Sequence, residues 1–137
     1  MIAAVRLADA EPNGLAEMLA GLIEANLGRH PDRSRLLRSA SVVLEARDAG
    51  VAATVRLRRR SVEVVNGAAN PSSVRIRAAS DELLALSAAP LRFGFPDALR
   101  PDGRRVLAGV IRGRVRIRGI VRHPIVLSRF ARLLSVR

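Results

Sequence analysis

A chain of 137 residues, 49% of them hydrophobic, is the length of one ordinary domain and holds enough apolar material to fill a core, so a single domain over residues 1–137 is expected. A formal net charge of +12 points to anionic partners such as nucleic acid, an acidic membrane surface or an acidic protein, without choosing among them. With no Cys, disulfides, thiolate metal sites and a cysteine nucleophile are excluded, and the cytoplasm is permitted.

Met1–Ala10 is short and interrupted by Arg6 and Asp9, so it reads as neither a secretory segment nor a membrane span. A soluble, cytoplasmic protein consisting of the whole chain is the expectation. Leu15, Met18, Leu19, Leu22, Ile23 and Leu27 recur at spacings of three and four, which puts them on one stripe of a helix over residues 14–27, with Asn13 as its cap and Gly28 as its stop. A short polar helix is expected over Pro31–Arg38, with Pro near its start.

From Ala40 the period changes from about 3.6 to two. Val42–Arg47 and Val51–Arg58 flank Asp48-Ala-Gly50 as a hairpin, Ser61–Val65 returns as a third strand, Asn66-Gly67 and Asn70-Pro71 are turn dipeptides, and Ser73–Ala78 is a fourth strand. Four short strands in succession imply a largely antiparallel sheet. Ser80, followed by Asp81 and Glu82, carries the cap and first-turn acids of a helix that ends by Pro90. Leu91–Asp102 is irregular and apolar, with Phe93 and Phe95 between prolines, and suits a lid or a crossing loop. A helix over residues 103–112, a strand over Gly113–Gly119 and a last helix entered through Pro124 complete the chain.

The result is an α+β domain with helices packed on one face of a sheet. Apolar positions face those helices, whereas Arg56, Arg58, Arg75, Arg77, Arg114, Arg116 and Arg118, with Glu45 and Glu63 among them, alternate onto the other face. An antiparallel sheet tolerates such a solvated side. All 24 basic residues are Arg. A GC-rich coding sequence explains Arg in place of Lys, but not two bases for each acid.

The order of Ser80-Asp-Glu-Leu-Leu-Ala-Leu86, Leu107-Ala-Gly-Val-Ile-Arg-Gly113, the Arg-Val-Arg-Ile-Arg-Gly119 strand and a closing Leu-rich helix resembles the sterol carrier protein 2 family of lipid-binding domains. The resemblance runs from about Ser39 to the C-terminus and rests on the order of elements. It departs from the family in its N-terminal part, in the longer Leu91–Asp102 segment, and in Arg where the family often has Lys. What it implies is a five-stranded, largely antiparallel sheet with helices on one side, enclosing an apolar tunnel for a sterol, fatty acid or other lipid. No catalysis and no cofactor or metal go with it. The residues that would line the tunnel are Leu57, Val64, Val74, Ile76, Leu84, Phe93, Phe95, Val106, Val110, Ile117, Phe130 and Leu134. Aliphatic walls with few polar groups suit a lipid, although stripes of this kind also form filled cores.

Enzyme motifs are lacking: the chain has no Gly-x-Ser-x-Gly, HExxH or Walker-type loop, His123 beside Pro124 reads as a capping or surface residue at the entry of the last helix, and His30 stands beside Pro31 in a turn. Nucleic acid is favoured by charge alone. A sheet-type RNA binder stacks bases on aromatic rings, and this chain has no Tyr or Trp, so only weak, salt-sensitive and sequence-blind binding is expected. A hydrophobic ligand, with peripheral contact of the Arg face to an anionic membrane, is therefore the leading expectation. An accessory protein that uses the same face to bind an acidic partner remains the alternative, and the oligomeric state is open.

Overall fold

The computed structural model describes residues 4–69, 72–83, 116–119 and 122–135, and the backbone of residues 91–92 and 95–96. In chain order these form β1 (Ala4–Leu7), α1 (Gly14–Arg29), a 3-10 helix (Pro31–Leu36), β2 (Ala40–Ala46), β3 (Val51–Arg58), β4 (Ser61–Asn66), β5 (Val74–Ala78), the opening of a helix at residues 80–83, β6 (Leu91–Arg92), β7 (Phe95–Pro96), β8 (Arg116–Arg118) and α2 (Pro124–Leu134). β6 and β7 pair only with each other, and the main sheet has the order β1-β4-β3-β2-β5-β8. The expected helix over residues 103–112, Phe93, Gly94 and the first half of the Gly113–Gly119 strand lie outside the described residues.

The sheet is α+β in character as expected, with two corrections to its strands. It has six strands rather than five, and it is mixed: β1 runs parallel to β4, and β5 parallel to β2. β1 escaped sequence reading because Val5 and Leu7 alternate with Arg6 over only four residues, too few for a period to stand out. β1 occupies the outer edge of β4, so β5 joins the sheet beside β2 instead. It is parallel because the chain returns from Gly67, at the hairpin end, to the strand ends at which β2 begins, with Val74 opposite Val42.

That return has a second consequence. Residues 67–69 turn over the face expected to be fully solvated, and the Thr54 hydroxyl there donates to the Gly67 carbonyl (2.8 Å) and accepts from the Ala69 amide (2.9 Å). Thr54 and its cross-strand partner Val43 are 0% exposed, so the centre of the arginine face is not open to water.

On the first face the expected stripes meet. Leu15, Leu19, Ile23 and Leu27 of α1 are buried against the sheet, and Ala16 and Ala20 on the same side let the helix approach it closely. α2 adds Leu127, Phe130, Leu133 and Leu134, and packs on α1 and the 3-10 helix. One polar residue sits inside this layer: Asn26 is 0% exposed, donates to the Leu133 carbonyl (2.9 Å) and accepts from Arg29 (3.2 Å), locking the C-terminal ends of α1 and α2 together. Its satisfied amide is what makes its burial tolerable.

Candidate functional site

Strand register places the tunnel candidates from the sequence. Leu57, Val64, Val74 and Ile76 line up on the first face across β3, β4 and β5, and with Phe130 and Leu134 of α2 they belong to one contiguous buried core; Ile117 of β8 is half-buried against it. Leu84, Phe93, Val106 and Val110 lie outside the described residues, as does the side chain of Phe95.

Among the described residues an apolar cleft of about 360 Å³ opens elsewhere, at the end of the sheet where β2 turns into β3. One wall is the first turn of α1 with Leu15 and Met18, a second is Ala46 and Val51 flanking the hairpin, and the third is Leu83 beyond Ser80. Sequence reading missed this place. The available signal was the run of small residues Gly14, Ala46 and Ala49, which leave space that larger side chains would fill.

Polar struts hold the three walls apart. The Asn13 carboxamide caps α1 by accepting from the Ala16 amide (2.8 Å) and donates to the Ala52 carbonyl on β3 (2.9 Å). Asn66 completes the joint: its side-chain oxygen accepts from the Asn13 amide (2.8 Å), its Nδ2 donates to the Glu11 carbonyl (2.9 Å), and its own amide donates to Asp9 (2.7 Å). Loss of a helix cap alone typically costs about 1 kcal/mol. Here the same residue also fixes the angle between helix and hairpin.

The third wall hangs on Asp48, whose carboxylate accepts from both the hydroxyl and the amide of Ser80, each at 2.9 Å. A residue of the hairpin turn thus caps a helix across the cleft. These two hydrogen bonds, the hydroxyl's first, hold the Asp48 carboxyl below the ordinary aspartate range. A group depressed in this way contributes in full above its unfolded pKa, and the contribution is lost as pH falls through the folded value. The strut is therefore intact at neutral pH and is released only on acidification below the ordinary aspartate range. In NMR titrations the Ser80 amide will follow a single transition with a midpoint below that of an unstructured aspartate, and Asp48→Ala will abolish it. A midpoint at the unstructured value would mean that the strut does not form in solution.

The arginine face is less cationic than its sequence suggests. Glu63 of β4 is paired with Arg6 and, at 3.4 Å, with Arg56; Glu45 of β2 lies 3.5 Å from Arg75 and 3.9 Å from Arg77. Hydrogen bonding from Arg6, aided by its charge and that of Arg56, holds the Glu63 carboxyl below its ordinary range. Arg58, Arg116 and Arg118 are exposed and take part in none of the ion pairs found among the described residues, and Arg114 lies outside them. His123 is exposed and stands at the entry of α2 without a side-chain capping bond. Among the described residues no helix is long and apolar enough to cross a membrane, and no group of three or more His, Asp or Glu side chains is placed to hold a metal.

No family model and no curated protein sequence matches the chain. Among solved structures, a UbiJ-SCP2 ubiquinone synthesis protein superposes with a TM-score of 0.60 at 18% identity, over 88% of this chain and 92% of its own. A conserved hypothetical protein of Thermus thermophilus, whose description raises a sterol carrier protein as a possibility, matches over 93% of both chains at 15% identity with a TM-score of 0.48. The first likeness extends beyond the Ser39-to-C-terminus span over which the motifs agree, and takes in part of the N-terminal region.

Proposed function

We propose that this chain, which has the sterol carrier protein 2-like fold, is a non-enzymatic binder of a hydrophobic ligand, held by its tail in the cleft beside the β2–β3 hairpin. The observation that carries the reading is the cleft itself: its volume of about 360 Å³ falls in the range of small-molecule pockets, and Leu15, Met18, Val51 and Leu83 give it aliphatic walls. Among the described residues Ser80 supplies the one hydroxyl on its lining, already engaged by Asp48.

Charge at the mouth narrows the ligand class. Asp48, Asp81 and Glu82 cluster around Ser80, with Arg47 paired to Glu82 at 3.4 Å. A further carboxylate brought there would be repelled, so a neutral lipid with a small polar head fits better than a free fatty acid. Sterols meet that description. The structural neighbour's role in ubiquinone synthesis adds a polyprenyl quinone or its precursor to the ligands worth trying.

Organic extraction of the purified protein followed by mass spectrometry tests the reading. A neutral lipid will be recovered in near-stoichiometric amount, or a fluorescent sterol analogue will be taken up in preference to a fluorescent fatty acid. Recovery of no lipid together with uptake of neither probe would refute it.

A further inference from the structure

The two ends of the sheet differ in charge. At the hairpin end, around the cleft, stand Asp9, Glu11, Asp48, Asp81 and Glu82, with Arg47 among them. Register brings a different set together at the far end, where β2 and β5 begin and β3 and β8 finish. Ala40 lies opposite Leu57, Arg58 opposite Ser61, and Arg118 opposite Arg75, while Gly119 abuts the Ser73 carbonyl. Arg38, just ahead of β2, Arg58 at the end of β3, Arg59 in the β3–β4 turn, Arg118 at the end of β8 and Arg122 in the turn to α2 therefore converge on one end of the sheet. All five are exposed, and none belongs to the ion pairs found among the described residues.

Beside them is an exposed apolar side chain. Ile125, in the first turn of α2, is 62% exposed, the one large hydrophobic residue so exposed among the described residues. Its position on the side of Arg118 and Arg122 follows from the hydrogen bond that the His123 amide donates to the Gly119 carbonyl (2.7 Å), which ties the start of α2 to the end of β8.

We propose that this arginine end, with Ile125 as its tip, docks on an anionic phospholipid bilayer. Guanidiniums gathered at the ends of several strands present a cationic patch to a plane of headgroups, where each contributes to attraction within a Debye length. An aliphatic branch on the side of Arg118 and Arg122 gains nothing from a phosphodiester chain but gains by passing below the headgroups. The partly neutralised rows, in which Glu45 and Glu63 each pair with two arginines, lie along the face and stay out of the contact. Docked in this way, the protein stands on its strand ends, and the seven residues of β2 hold the cleft roughly 20 Å from the surface. The contact is then a tether that leaves the cleft facing away from the bilayer, and it does not depend on what the cleft binds.

Co-sedimentation of the full chain with phosphatidylcholine vesicles, with and without phosphatidylglycerol, tests the proposal. Binding is expected only with phosphatidylglycerol and is expected to vanish at high salt. Arg59→Gln combined with Arg122→Gln will weaken it about 25-fold, taking roughly fivefold for each guanidinium at the surface. Arg47→Gln combined with Arg77→Gln removes the same charge from ion-paired positions away from the patch and will weaken it less than about threefold. Ile125→Asn will lower affinity at every salt concentration without changing the salt dependence. Since all five side chains are exposed, unchanged thermal melts will show that the variants fold. Equal loss in the two double variants would mean that net charge alone is at work, and equal binding to neutral vesicles, or tighter and salt-resistant binding to mixed-sequence RNA, would also overturn the proposal.

Discussion

Gly119→Ala will destabilise the protein by about 2–4 kcal/mol, a large share of a small domain's stability. Gly119 has φ +91, a conformation in which an L side chain is strained by about 1–2 kcal/mol. A Cβ there would also press into the Ser73 carbonyl oxygen, with Ser73 C and Val74 Cα each at 3.3 Å. Ser73 has little room to retreat, because its amide donates to the Ser41 carbonyl at 2.8 Å and so anchors the start of β5 to β2. The damage falls where β8 leaves the sheet edge and the chain turns into α2. Gly67→Ala is the matched control: its φ is +84, but nothing lies within 4 Å of the added atom, so only the conformational strain applies. Urea denaturation of the two variants decides the matter. Equal losses of stability would show that the approach of Gly119 to Ser73 is not the constraint inferred.

Met18→Glu will reduce uptake of a neutral lipid at least tenfold while leaving the fold intact. Met18 lines the cleft from α1 but is only half-buried, so in the free protein a carboxylate at this position stays hydrated and the loss of stability should stay within about 1 kcal/mol. A lipid tail entering the cleft would strip that hydration with no cation among the described lining residues to replace it, a penalty that comfortably exceeds the ~1.4 kcal/mol corresponding to a factor of ten. Titration with a fluorescent sterol analogue measures the change. Ala49→Trp, on the exposed hairpin turn at the rim, gives an independent reading, since the chain has no other Trp and its emission will shift to the blue as a lipid settles beside it. Full uptake by Met18→Glu would place the ligand elsewhere.

Much of the fold can be read from the chain without coordinates. The stripe Leu15, Leu19, Ile23, Leu27 is buried, Asn13 caps α1, the β2–β3 hairpin pairs as alternation demands, and Leu127, Phe130 and Leu134 face inward. The Pro31 segment is a 3-10 helix of six residues rather than an α-helix, consistent with its scarcity of apolar residues to pack. The candidate site was less legible. The buried side chains of β3, β4 and β5 were identifiable by period, but the cleft depends on Gly14, Leu15 and Met18 meeting Ala46, Val51 and Leu83, segments remote from one another along the chain.

Periodicity is a local property, fixed by the geometry of strand and helix, and by itself it determined which side chains of α1, α2 and β2–β5 share a face, though not that Val43 and Thr54 on the arginine face would be buried. It could not say how far the arginines would be neutralised, since Glu45 reaches Arg75 and Arg77 only after β5 has entered parallel to β2, and Glu63 reaches Arg6 only through β1. Nor could it separate the two ends of the sheet. Only tertiary structure, by fixing strand order and register between distant segments, gathered carboxylates around the cleft and unpaired arginines at the opposite end, because electrostatic interactions follow distance in space rather than separation along the chain.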